Sequence, residues 1–197
     1  MDYPLKLTFK LFTLAPQLTV VDQQENLLFC VRQKLFKFKE DIGVFSDEQR
    51  TNQLYSIRAD RIIDFSARYH FRDSNSVELG SVKRKGLRSI WKAHYDIAEG
   101  NSEMPTFTIT EENSWVKVFD SLFSEIPVVG LFTGYMFNPK YLVTRVSDGT
   151  VVMRLEKVPA FLSRIFTIKK VDQMKNNEEV TVLLSILMMM FLERARG

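Results

Sequence analysis

The densest run of like charge in the chain is Lys83-Arg84-Lys85, followed by Arg88 and Lys92, with no acid from Val82 to Ala93. Lysines and arginines so spaced can hold phosphate groups through charge-assisted hydrogen bonds. They can equally dock on an anionic leaflet, where each contributes about 1 kcal/mol near the surface. Strand geometry limits both uses, because Lys83 and Lys85 would share one face while Arg84 pointed to the other. A blander role is also open, since lysines on a strand discourage edge-to-edge pairing.

A second basic set, Arg32, Lys34, Lys37 and Lys39, alternates with Leu35, Phe36 and Phe38. Aromatic and basic residues on one strand can bind single-stranded nucleic acid by stacking. The same alternation also suits burial of Phe36 and Phe38 in a core. A net charge of +3, from 27 bases and 24 acids, is too small to favour nucleic acid.

The residues of catalysis are present without the spacing that catalysis needs. His70 and His94 are the only histidines, and neither stands in a metal-ligand pattern with Cys or Glu. The eight glycines form no GxSxG elbow, P-loop or GxGxxG. Cys30 lies within the apolar run Leu27–Val31, which fits an inert core thiol better than a nucleophile. The carboxylates Asp22, Glu25, Asp47, Glu48 and Asp73 are spread over turn-like stretches, so no acid–base pair can be named. No catalytic residue, metal or cofactor is therefore expected.

Three stretches that would carry these residues share one layout: Leu18–Lys34, Tyr69–Lys85 and Tyr141–Lys157. Each opens on a β-prone run and crosses a polar turn: Asp22 to Asn26, Asp73 to Ser76, or Ser147-Asp148-Gly149. Asn, Asp and Gly tolerate the dihedrals of tight turns, so each stretch reads as a hairpin. Further strands are expected at Phe36–Lys39, Trp91–Ile97 and Phe161–Ile168, giving units over 18–42, 69–97 and 141–168.

Two helices interrupt this β pattern. Trp115, Val118, Phe119, Leu122, Phe123 and Ile126 fall on one helical face, predicting an amphipathic helix over 111–125 capped by Thr110 and stopped at Pro127. The second is expected over 177–194, with Asn176 as N-cap, Glu178 and Glu179 in the first turn and Arg194 at the far end. From Val180 to Leu192 its only polar residues are Thr181 and Ser185. A helix apolar on every side must be enclosed on every side.

Lipid is the poorer enclosure. A bilayer core of about 30 Å needs roughly 20 apolar residues, and this run rises only about 20 Å. Glu179 and Glu193 bound it, and Met188-Met189-Met190 suits an irregular packed interior. The other apolar run, Ile126–Phe137, starts with Ile126-Pro127 and holds Gly130 and Gly134, which fits a buried strand with glycine bends. No transmembrane span is expected. All 197 residues are read as one mainly β domain, a barrel-like wall around a buried apolar C-terminal helix. A single cysteine and an acid at Asp2, where a signal peptide carries bases, lead to the expectation of a cytoplasmic protein, peripheral to the membrane if it touches lipid.

This chain resembles the tubby C-terminal-like superfamily, and within it the LURP-one-related family and its uncharacterised bacterial relatives. The resemblance is carried by Arg68-Tyr69, Leu79–Lys85, Trp91, Tyr95-Asp96-Ile97, Asn138–Val143, Lys157, Phe161–Ile168 and the closing helix, over Leu18 to Leu192. It implies a closed antiparallel barrel of about twelve strands threaded by the C-terminal helix, a fold shared with phospholipid scramblases. Tubby domains bind phosphoinositide headgroups, but no tubby-type headgroup motif or scramblase-type calcium site carries over here. The leading expectation is a non-enzymatic binding or scaffold domain that touches anionic phospholipid or an acidic protein through Lys83, Arg84, Lys85, Arg88 and Lys92. A scramblase-like protein tethered by Val180–Leu192 is the first alternative, and an enzyme with a site assembled from distant residues is the second.

Overall fold

Short runs of alternating apolar and polar residues recur along the chain, and in the computed structural model they become strands. Residues 1–10, 13–34, 41–61, 67–85, 93–112, 140–158 and 165–195 are described. The strands are β1 (Leu5–Phe9), β2 (Gln17–Val21), β3 (Leu27–Gln33), β4 (Asp41–Phe45), β5 (Gln53–Ala59) and β6 (Arg68–Asp73). They continue as β7 (Glu78–Arg84), β8 (His94–Glu99), β9 (Phe107–Glu111), β10 (Lys140–Arg145), β11 (Val151–Val158) and β12 (Ile165–Lys170), before one helix, α1 (Asn176–Ala195). Every strand pairs antiparallel with its sequence neighbours. Leu7 of β1 closes the barrel by pairing with both Val20 and Phe166.

Side-chain alternation sorts the wall into two faces. In β1, Leu5, Leu7 and Phe9 are buried while Lys6 and Thr8 point outward. Tyr69 and Phe71, Tyr95 and Ile97, Phe107 and Ile109, and Leu155 and Met153 repeat the pattern around the ring. A membrane-spanning barrel has the opposite arrangement, with an apolar band outside and polar groups within. Among the described residues no helix is long and apolar enough to cross a membrane.

α1 fills the ring. Every residue from Thr181 to Phe191 is buried, so the helix is covered on all sides for three turns. Its two polar residues are satisfied locally: Thr181 Oγ1 donates to the Leu79 carbonyl at 3.1 Å, and Ser185 Oγ donates to the Thr181 carbonyl at 2.8 Å. The helix starts one position earlier than the expected Asn176 cap. Glu179 N–H bonds to the Lys175 carbonyl, and Glu178 reaches back to the Lys175 N–H at 2.8 Å, which makes Lys175 the N-cap of half a capping box. Glu179 then accepts from Tyr3 Oη at 3.0 Å and Lys170 Nζ at 2.6 Å, tying both sides of the barrel seam to the helix. Burial and the neighbouring Glu179 carboxylate push the Tyr3 phenol far above its usual value.

β2–β3, β6–β7 and β10–β11 are hairpins with one shared irregularity. The register shifts after Val20, after Phe71 and after Val143, the same place in each. Their turns are built alike: Asp22, Asp73 and Asp148 accept backbone N–H bonds, and Glu25, Ser76 and Gly149 take positive φ. Leu18 pairs with Val31 and Tyr69 with Val82, but Tyr141 pairs with Leu155, so the third turn is one residue longer. Lys34 and Lys85 therefore point outward while Lys157 takes the inward alternation of Met153 and Leu155. The shared spacing to a lysine is structural in two units and coincidental in the third.

The expected amphipathic helix does not begin at Glu111. Thr110 pairs with His94 and Leu142, and Glu111 closes β9. The β-branched alternation of Phe107-Thr108-Ile109-Thr110 wins locally over the acidic start signal that follows it. The rest of that segment, the apolar run Ile126–Phe137, the expected strand Phe36–Lys39, and Trp91, Arg88 and Lys92 lie outside the described residues.

One glycine sets how closely wall and helix approach. Gly80 has φ of +156°, and a Cβ there would lie 2.4 Å from the Ala98 carbonyl and 2.7 Å from Thr181 Cγ2. Gly80→Ala should lower the unfolding free energy by about 1–3 kcal/mol through overpacking, and Leu187→Ala by about 2–5 kcal/mol through a cavity. Leu14→Ser, at a 95% exposed position, should leave it unchanged. Urea denaturation of the three variants checks all of this.

Candidate anion-binding surface

The strand alternation splits the basic run. Lys83 stands on the outer face of β7, directly opposite Arg68 on β6 and Asp96 on β8. Its ammonium makes no hydrogen bond or ion pair among the described residues. Arg68 Nη1 donates to Ser81 Oγ at 3.0 Å, so two cations face one another across adjacent strands. Such a pair is unfavourable unless an anion lies between its members. Lys85, beyond it, is 3.7 Å from Asp96, whose other oxygen is 3.4 Å from His94 Nε2.

Arg84 belongs to the interior. It is buried, with its guanidinium 6.0 Å from the Tyr95 ring centroid, and Tyr95 Oη donates to Glu193 Oε1 at 2.5 Å. Arg194 lies 5.0 Å from the Phe9 ring centroid. This cluster holds the last turn of α1 to the wall. Lys83 and Lys85 thus share the outer surface, while Arg84 is separated from them by the thickness of the sheet.

Charge is unevenly spread along the barrel axis, although Lys6, Arg145 and Lys170 pair with acids at the end where α1 begins. Strand connections at the end where α1 begins carry Asp22, Asp47, Asp73 and Asp148, each spent on capping its own turn. Asn26 holds the Asp22 carboxyl below its usual range, and the backbone N–H groups of Thr51 and Thr150 do the same for Asp47 and Asp148. The opposite end, where α1 finishes, carries Lys10, Lys34, Arg61, Arg68, Lys85 and Lys140. Acids stand there too, Asp41 at 3.2 Å from Lys34 and Asp60 at 3.2 Å from Arg61. The acidic end is explained by turn chemistry, whereas no backbone requirement explains the basic end.

Among the described residues, two grooves with basic linings lie on the outer wall. One of about 340 Å³ lies over Gly43 between Arg32, Lys34, Phe45 and Arg50. The other, about 320 Å³, runs over Ser56 between Arg58, Asp60, His70 and Arg72. In the second groove Glu78 lies 2.9 Å from Arg72 Nε and 2.7 Å from His70 Nδ1. Arg50 was invisible to pattern reading, because only the fold of the β4–β5 connection brings it beside Arg32. Among the described residues no group of three His, Cys, Asp or Glu side chains could hold a metal ion.

A family model described as LURP-one-related matches residues 27–174. The X-ray structure of a protein from Arabidopsis thaliana is similar in fold, with a TM-score of 0.50 at 15% identity, covering 94% of this chain and 90% of that one. No curated protein matches the chain.

The two faces of β7 should respond differently to the same change. Lys83→Glu, at a half-buried position on the outer face, should cost no more than about 1 kcal/mol. Arg84→Glu would put a carboxylate into the buried cluster that holds Glu193 and should cost about 3–5 kcal/mol. Thermal and urea unfolding of the pair measure the difference.

Proposed function

The chain belongs to the LURP-one-related family, and on that premise we propose that it is a non-enzymatic binding module whose basic barrel end contacts anionic phospholipid headgroups. The excess of cations at one end of the barrel and of acids at the other carries this reading. An uneven field of this kind orients the molecule on a charged surface before any contact forms. Each cation near an anionic leaflet contributes about 1 kcal/mol, and the attraction fades beyond about 8 Å at physiological salt. Only the end turned toward the lipid therefore counts.

The filled interior supports the same conclusion from the other side. α1 occupies the space that a ligand-carrying barrel would leave open, so recognition belongs to the outside. The helix is also unavailable as a tether, since Thr181–Phe191 are enclosed by the wall. Lys83 and Lys85 are the described members of the contact, and Arg88 and Lys92 extend it in the sequence. Arg84 has an interior role.

Sedimentation with phosphatidylcholine vesicles, with and without phosphatidylserine, tests the proposal. Binding should require phosphatidylserine, weaken with added salt, and lose about 2 kcal/mol or more in the Lys83→Glu, Lys85→Glu double variant. Equal binding to neutral and anionic vesicles, or none to either, would remove the lipid reading and leave an acidic protein as the partner to seek.

A further inference from the structure

We propose that the outer groove between β3 and β4 is a specific site for a phosphate monoester borne on a ring, with Arg32 and Arg50 as the anion ligands and Phe45 as the surface for the ring. The inference goes beyond the reading above, because the groove lies on the outer wall beside the β4–β5 connection and uses neither Lys83 nor Lys85.

Three features of the groove converge on this chemistry. The first is charge without an answer. Arg32 projects from β3 and Arg50 from the β4–β5 connection, and neither side chain makes a hydrogen bond or ion pair among the described residues. Lys34, the third cation, is shared with Asp41 at 3.2 Å. Guanidinium groups are planar forks that match phosphate oxygens in pairs, which an ammonium cannot do.

The second is an aromatic side admitted by a glycine. A Cβ on Gly43 would lie 2.6 Å from Cε2 and 2.7 Å from Cζ of Phe45, so only a bare backbone lets that edge of the ring settle where it lines the groove. The third is size. About 340 Å³ lies at the small end of the range for ligand sites and suits one substituted ring better than a peptide.

Holding Arg50 in place costs backbone strain. It sits at φ of +63°, and the carboxylate of Asp47 accepts from Thr51 and Asn52 to fix the turn around it. Lys10 anchors the same turn through Glu48 at 3.0 Å. The neighbouring groove over Ser56 has similar volume, but there Glu78 already pairs with Arg72 at 2.9 Å and also bonds His70.

Nitrogen-resolved NMR titration of the full chain with phenyl phosphate decides the matter, with inorganic phosphate, sulfate and phenol as comparison probes. Phenyl phosphate should shift the Gly43, Phe45 and Arg50 amides saturably, more tightly than inorganic phosphate or sulfate, with phenol inert. Arg32→Gln, at a half-buried position, and Arg50→Gln, at an exposed one, should each weaken it by about tenfold with the amide spectrum of the folded chain retained. Lys83→Glu should not change it. Equal response to sulfate, or shifts spread over all basic residues, would overturn the site, as would unaltered affinity in both glutamine variants.

A second arm separates the sources of the phosphate. Vesicles containing phosphatidylinositol 4-phosphate should compete with phenyl phosphate if the site serves a lipid headgroup, and should not if it serves a soluble phosphate ester. Binding to phosphatidylserine vesicles that survives Arg32→Gln with no phenyl phosphate site would sink this inference and leave the proposed function standing. Loss of vesicle binding altogether, with phenyl phosphate still bound, would do the reverse.

Discussion

A helix without a polar face cannot stand at a surface, and the rest of this structure follows from giving α1 somewhere to be. Burial of each large side chain from Val182 to Phe191 stabilises the fold by about 1.5–3 kcal/mol relative to exposure, but only if the enclosure is complete. A sheet with free edges would leave a side open. Twelve antiparallel strands closed between β1 and β12 leave none. The polar atoms respect the same constraint: Thr181 and Ser185 bond within the core, and Glu179 and Glu193 mark where the helix leaves it.

The charge pattern has to be weighed against the helix dipole, which runs along the same axis. Acids gather at the start of α1 and bases at its end, as the dipole prefers. That effect is worth about 0.3–1 kcal/mol per charge and dies away within one turn of the terminus. It accounts for Glu178 and Arg194 on the helix itself. It does not reach outward side chains such as Lys34 or Lys85, which stand on the far side of the wall. The basic end is therefore a property of the barrel surface and not of the helix.

Much of the architecture could be read before any coordinates, because it is written in short-range patterns. The all-round apolarity of Val180–Leu192, the polar turns of three hairpins and the alternation that splits Lys83 and Lys85 from Arg84 are local signals. Reading failed where the outcome depended on something non-local. Thr110 looked like a cap because acids follow it, but its partners on β8 and β10 make it a strand residue. Lys157 matched its counterparts in spacing, but one extra turn residue moved it to the other face. The groove of Arg32, Phe45 and Arg50 joins a strand to a connection beyond it, and no periodicity spans that distance.

The central claim is that α1 is the filled interior of a closed wall, so that all recognition is external. Native-state hydrogen exchange measured on the helix, with and without phosphatidylserine vesicles, tests it most directly. The amides from Leu183 to Met190 should exchange only through global unfolding, with a free energy equal to that of denaturation, and vesicles should leave their protection unchanged. Exchange of those amides through an opening smaller than global unfolding, or a change in their protection when lipid is added, would contradict the account.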